Sequence, residues 1–327
     1  MYRRSAFWFL SFAISVLLIS CSSRRDIDAH ATEYTIAFGS CNKQWEPQPM
    51  WEQIVKNDPD LWIWTGDIIY ADTEDMDEMK AMYDTQKSNK QYQLLKNRCP
   101  IIGVWDDHDY GANNAGKEFA KKAESRDLLF DFLDIPSKDP ARQRQGAYQS
   151  YEYNIDDILL KVILLDVRYF RDTLGTPDGT MLGLDQWEWF ESELKKSNAD
   201  INIIAGGVQF LHVDHGYEKW YNYPKDYVRL LSLLSAPHVK NPILISGDRH
   251  IAEVAALTHR DQLITEVTSS GMTHSYEALK RETNRYRKGP LVTVKNFGLL
   301  KISNHKVDIE LHNEQNDVLY RHTVMLD

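Results

Sequence analysis

Carboxylates and imidazoles collect in three short segments of this chain: Gly66-Asp67, Asp106-Asp107-His108 and Gly247-Asp248-Arg249-His250. Each follows an apolar run. A single Asp after a strand is a common turn residue and means little alone. Several such segments together, with Asp109 crowding His108 further, place like charges where each disfavours ionisation of the next. Positive charge among them removes that cost. The donors are those that bind metal ions, and the chemistry open to them is activation of water or of a substrate oxygen. Cys41 and Tyr70 stand near the same segments. Cys41 is either a ligand or the disulfide partner of Cys99. The ligand reading is preferred because Cys41 ends a strand at the same edge, which leaves Cys99 as a buried thiol. Tyr70 is either a core ring or a phenolate ligand.

The elements that must position these residues are short apolar runs bounded by Gly or polar residues. They cover 34–38, 61–64, 101–105, 159–165, 201–204 and 243–245. Such runs predict strands buried on both faces. The chemistry-bearing residues lie past their C-terminal ends, the edge where layered α/β folds collect their sites. A helix is expected from Pro49, with Trp51, Ile54 and Val55 on one face. Two longer helices are expected over 117–133 and 185–196, the second ending in Lys195-Lys196 as the helix dipole favours. Beyond Gly289 the pattern is strand only, over 291–294, 297–302, 306–311 and 318–325, so a β-meander closes the chain. Mixed βα units followed by pure β predict two stacked sheets flanked by helices. The loops around 73–98, 170–182 and 211–226 are expected to wall the site. His212, Asp214 and His215 read as a mobile polar loop.

Composition sets the outer bounds. A chain of 327 residues with 43% hydrophobic residues, 9 Trp and 17 Tyr can bury a sizeable core and does not read as disordered. The formal net charge of −10, with no long basic run, argues against a nucleic-acid partner. It does not exclude a small phosphate substrate, because local cations reverse the field within a cleft. Arg3 and Arg4 precede an apolar run over 6–19 that suits a secretory signal. The run ends in Leu18-Ile19-Ser20-Cys21. This resembles the lipobox of bacterial lipoproteins, which implies lipidation at Cys21 and a lipid anchor in the cell envelope. The expected organisation is a signal over 1–21, a tether over 22–33 and one catalytic domain over 34–327.

Six motifs, in order, give the chain a specific resemblance. They are Ser40-Cys41, Gly66-Asp67-Ile68-Ile69-Tyr70-Ala71-Asp72, Trp105-Asp106-Asp107-His108-Asp109, Leu165-Asp166-Val167-Arg168, Gly207-Val208-Gln209-Phe210 and Ser246-Gly247-Asp248-Arg249-His250. Together they resemble the alkaline phosphatase D-like branch of the calcineurin-like metallophosphoesterases. The resemblance implies an α/β fold, a four-layer α/β/β/α sandwich, and two or more metal ions. Asp67 is then the bridging carboxylate. Cys41, Tyr70, Asp107, Asp248 and His250 are further ligands. Asp72 is either a further divalent-metal ligand or a solvated loop acid. His108 is implied as the catalytic residue, and Arg168 and Arg249 as binders of phosphate oxygens. Thiolate and phenolate suit Fe³⁺, while the carboxylates suit Ca²⁺, with Mn²⁺ or Mg²⁺ as alternatives. The implied reaction is hydrolysis of a small phosphate ester outside the cytoplasm by a monomer. Two rival readings are a phospholipase-D-like hydrolase of lipid head groups and a ligand-binding lipoprotein without turnover. Longer family members carry an extra N-terminal β-sandwich domain, which is expected to be absent here.

Overall fold

The computed structural model describes residues 23–26 and 33–326. In chain order its strands are β1 (Ser23–Asp26), β2 (Tyr34–Gly39), β3 (Leu61–Thr65), β4 (Ile101–Val104), β5 (Gln149–Ile155), β6 (Ile158–Leu164), β7 (Ile201–Gly206), β8 (Pro242–Ser246), β9 (Ala252–His259), β10 (Gln262–Ser269), β11 (Arg287–Val292), β12 (Asn296–Ser303), β13 (Lys306–Asn313) and β14 (Val318–Met325). The α-helices are α1 (Met50–Val55), α2 (Met76–Ser88), α3 (Lys90–Arg98), α4 (Asp107–Tyr110), α5 (Lys122–Phe132), α6 (Gly183–Lys195) and α7 (Pro224–Leu234).

The strands form two mixed sheets. One has eight strands in the order β1-β5-β6-β7-β8-β10-β9-β11, and the other has six in the order β14-β13-β12-β2-β3-β4. In the larger sheet β6, β7, β8 and β10 run parallel, and in the smaller one β2, β3 and β4 do. The C-terminal ends of each parallel set therefore share one edge. Period-two alternation assigns the faces. Ile203 and Ala205 on β7, with Ile243 and Ile245 on β8, point into the core shared with the smaller sheet. Ile204 and Leu244 point the other way, onto α6 and α7. On β3 the indoles of Trp62 and Trp64 meet Trp51 of α1, with ring centroids 5.0 and 5.2 Å apart. Tyr92 of α3 packs 5.1 Å from the same Trp51 ring. Helices thus cover both outer faces, as a four-layer α/β/β/α sandwich requires.

Several boundaries differ from expectation for local reasons. The helix expected from residue 117 begins only at Lys122, because the Lys117 amide instead donates to the Arg171 carbonyl at 2.9 Å. The strand expected at 291–294 is β11, and it pairs antiparallel with β9 in the larger sheet. The closing meander is therefore β12-β13-β14 alone. Helices α2 and α3 occupy 76–98, where a site loop was expected. Each is started by a side-chain cap, Asp75 accepting from the Asp77 and Glu78 amides and Asn89 from those of Gln91 and Tyr92. Ser23–Asp26, within the expected tether, pairs parallel with β5. The signal segment and Cys21 lie outside the described residues. Among the described residues no helix is long and apolar enough to cross a membrane.

Candidate metal centre

The parallel edges of the two sheets deliver one residue set. Cys41 follows β2, Asp67 and Tyr70 follow β3, Asp106 to Asp109 follow β4, and Asp248 to His250 follow β8. Three groups of donor atoms lie within 4.8 Å of one another: Cys41, Asp67 and His250; Asp67, Asp107 and His108; and Asp106, Asp107 and Asp248. Asp67 belongs to two of them. Its Oδ2 accepts from the Cys41 thiol at 3.4 Å and from the Tyr70 hydroxyl at 3.3 Å. The same hydroxyl lies 3.1 Å from His250 Nε2.

The backbone is bent to achieve this. Cys41, Asp67, Asp72, Asp248 and His250 all have positive φ, between 44° and 69°. Only Gly adopts this region freely, and Asp tolerates it better than Cys or His. Strand ends turned this sharply aim side chains back over the sheet edge. Gly207 allows the closest approach, since a Cβ there would collide with the Asp106 carboxylate. Gly66 supplies a φ of +91° just before Asp67.

The electrostatics of these groups favours cations. Burial pushes the Asp67 carboxyl well above its usual range, and Asp107, Asp106, Asp109 and Asp248 push it further. Burial raises Asp248, with Asp106, Asp107 and Glu218 adding to it. Burial raises the Cys41 thiol, with Asp67 adding to it, and burial then Cys41 and Asp67 raise the Tyr70 phenol. Burial and the cations around it press His250 down to about 4. Cations held here would favour the ionised carboxyl, thiol and phenol and would take the neutral imidazole as a ligand. Asp67 Oδ1 and Asp106 Oδ2 are buried and lack any hydrogen-bond partner. Buried carboxylate oxygens are rarely left so, and metal ions fit the vacancy in their bonding.

Neighbouring residues fall into place around this core. Asp109 accepts from the backbone amides of Asp67, Ile68 and Asp106 at 3.2, 3.1 and 2.7 Å, so it ties β3 to β4 and leaves Asp107 for the pocket. Asp72 was expected as a metal ligand, but its carboxylate instead sits 2.7 Å from His108 Nδ1. The His108 ring also stacks on Tyr70, with centroids 4.2 Å apart. Burial lowers the His108 pKa, but Asp72 and Asp107 outweigh it and the net shift is upward. Arg168 was expected to meet phosphate. It is fully buried, with Nε 2.6 Å from Asp106 and Nη1 2.7 Å from Glu218, so it braces the floor of the site. Arg249 does line the pocket, paired to Glu282 at 2.6 Å. Cys41 and Cys99 are free thiols, which removes the disulfide alternative. Burial holds Cys99 up at about 12. The expected mobile loop is packed: His212 is fully buried, and His215 Nε2 donates to Gln209 Oε1 at 2.9 Å. Asp214 is tied to Arg285 at 2.5 Å.

The pocket over the centre holds about 470 Å³ and opens between Asp67, Asp107, Asp248 and the loops carrying Leu174, Tyr217 and Tyr276. Sequence reasoning missed His274, whose Nε2 is 3.1 Å from the Tyr70 hydroxyl. The signal was present: a polar Thr-His pair follows a run that ends in Ser-Ser-Gly, the same strand-end grammar as the other motifs.

Comparison with known proteins agrees with the geometry. The model of the PhoD-like phosphatase family matches residues 36–318. Alkaline phosphatase D of Bacillus subtilis (strain 168) is 23% identical over 284 residues, covering 71% of this chain and 48% of that protein. The chain thus spans about half the length of this curated relative. Among solved structures, that of PhoD superposes with a TM-score of 0.72 at 16% identity, covering 91% of this chain and 69% of the other. GAP50, the anchor in the inner membrane complex of Plasmodium, gives 0.64 at 16% identity, covering 90% and 89%. The family match over most of the chain, and the donors gathered at one sheet edge, make this protein a member of the PhoD-like phosphatase family.

Proposed function

We propose that this chain hydrolyses phosphate esters, diesters or monoesters, at a centre of two or more metal ions. The observation that carries the reading is Asp67, shared between two donor groups and left with one buried oxygen unpartnered. Metal ions held there would bind phosphoryl oxygens, acidify a water and offset charge as the ester bond breaks. Cys41, Tyr70 and His250 would join Asp67 in a set suited to Fe³⁺. Asp107, Asp106 and Asp248 would join it in one suited to Ca²⁺, with Mn²⁺ or Mg²⁺ as alternatives. His108 supplies the proton. Asp72 fixes its Nδ1 and the Tyr70 ring fixes its plane, so the other nitrogen is left to protonate the leaving alkoxide. Arg249 reaches substrate oxygens from the pocket wall, while Arg168 orients Asp106, whose carboxyl burial raises to about 7 against the pull of that guanidinium.

The deciding experiment is Asp67→Asn. Hydrolysis of bis(p-nitrophenyl) phosphate should fall by about three orders of magnitude, as when a group central to charge stabilisation is removed. Elemental analysis should show lost metal. Full activity in this variant would sink the reading. Anomalous scattering near the iron and calcium edges assigns the ions. We also place the protein in the bacterial cell envelope, anchored through Cys21, on the strength of the basic, apolar and lipobox order of the first residues. Cys21→Ser should move the protein from the membrane fraction to the soluble one.

A further inference from the structure

Three large apolar side chains that stand well out of the protein converge on one place. Leu174, Tyr217 and Tyr276 are 44%, 50% and 46% exposed, and all three line the pocket over the metal centre. They arrive from three loops, after β6, β7 and β10. Scattered exposed apolar residues mean little, but a cluster at the mouth of a polar pocket marks a contact surface.

The two tyrosines are held in register with the metal-binding motif. The Arg249 guanidinium lies 4.0 Å from the centre of the Tyr217 ring. The Tyr276 amide donates to the carbonyl of His250 at 2.7 Å. Tyr217 thus packs on Arg249, and the chain at Tyr276 is tied to His250, both within the segment that carries Asp248.

Charge excludes the main alternative for this wall. A second phosphate or a carboxylate on the substrate would need a free cation. Arg249 is paired with Glu282 at 2.6 Å and is already assigned to the reacting phosphate, and Arg168 is paired with Glu218 at 2.7 Å. Arg171 is paired with the same Glu218. Lys219 is buried, donating to the carbonyls of His215 and Tyr217 at 2.6 and 3.2 Å. Beside the amides of Asn113 and Asn114, the wall offers ring face and a branched aliphatic edge. Stacking on tyrosine suits planar rings and tolerates their detailed chemistry.

We propose that Leu174, Tyr217 and Tyr276 form a subsite for a planar apolar group, an aryl or heteroaryl ring, attached to the phosphate of the substrate. This rests on the phosphoesterase reading above. It makes these three residues determinants of specificity, separate from the residues that hold metal.

The test uses the full-length, metal-loaded protein and two phosphonates that are not hydrolysed. Isothermal calorimetry should show phenylphosphonate binding at least ten-fold tighter than methylphosphonate. In the Tyr217→Ala, Tyr276→Ala double variant the ratio should fall below about three-fold, a loss in the range of stacking contacts. Tyr276→Phe, which keeps the ring, should retain the wild-type ratio and guards against a mere folding defect. Equal affinities in the wild type, or an unchanged ratio in the double variant, overturn the subsite. Hydrolysis of bis(p-nitrophenyl) phosphate, measured in parallel, separates the two ideas. Turnover without ring preference sinks the subsite alone. Ring preference without turnover sinks the phosphoesterase reading and leaves the subsite standing.

Discussion

Asp72 and His108 show how much a single carboxylate can change the meaning of a motif. Sequence spacing put Asp72 among acids that bind metal, but the fold turns it onto His108 across 36 positions of chain. The two roles make different predictions. As the orienting partner of His108, Asp72→Asn should lower kcat by about 10–100-fold, the usual cost of losing such a partner. Metal content by elemental analysis should stay at the wild-type level. Loss of a metal ion in that variant would return Asp72 to the ligands. The donors themselves were legible because each sits within a few residues of a strand end, and local sequence fixes that. Arg168 was not legible. Its burial is decided by Glu218, 50 residues further on, and nothing near Arg168 announces that partner. His274 was missed although it too follows a strand end, because its contact with Tyr70 spans 204 residues.

At the level of strands and helices, the long apolar runs, α6 and the closing meander were readable, and α2, α3 and the hairpin of β9 and β10 were not. Strands β2, β3, β7 and β8 are buried throughout. The hairpin of β9 and β10 mixes Thr, Glu and His into its pattern, because its buried acids are satisfied by distant partners. Glu266, for example, accepts from the Phe210 and Leu211 amides at 2.8 Å each. Its carboxyl is raised by burial to about 7 despite those bonds. Close approach between sheet edges gives one prediction. Gly207→Ala would drive a methyl into Asp106, and overpacking of this kind should cost about 1–3 kcal/mol in urea unfolding. The meander gives another. Glu310 on β13 meets Lys301, His312 and Arg321 at 2.9, 2.9 and 2.8 Å. Burial alone would raise its carboxyl, but these donors hold it at about 2 against an ordinary 4.5. A depressed carboxylate contributes stability above its unfolded value and loses it as pH falls toward the folded one. Thermal unfolding between pH 4.5 and 2 should therefore fall more steeply for the wild type than for Glu310→Gln. Parallel curves would remove Glu310 as the cause.

For the molecule as a whole, the centre is a folding liability that metal ions cancel. Asp67, Asp106 and Asp107 are buried together, with Asp248 beside them. Chelation should lower Tm, and added metal should restore it with the concentration dependence of a ligand that binds only the folded state. That amounts to about 2.7 kcal/mol at a hundred-fold excess over Kd. Asp67→Asn should behave in opposite ways in the two forms. Without metal it removes the cost of burying a carboxyl among other carboxylates and should raise Tm. With metal present it should lose most of the metal-induced gain. A variant whose metal-free form is less stable than the wild type would contradict this account.

The left-handed backbone at Cys41 and His250 has a consequence for how such a site can change. Holding a side chain other than Gly, Asn or Asp there costs on the order of 1–2 kcal/mol. Exchange of either residue for Gly or Asn would relax the chain while disarming the centre. Mutational drift in a lineage released from its chemistry would therefore run downhill in energy at these two positions. Keeping a thiol and an imidazole on so costly a backbone requires a continuing use for both.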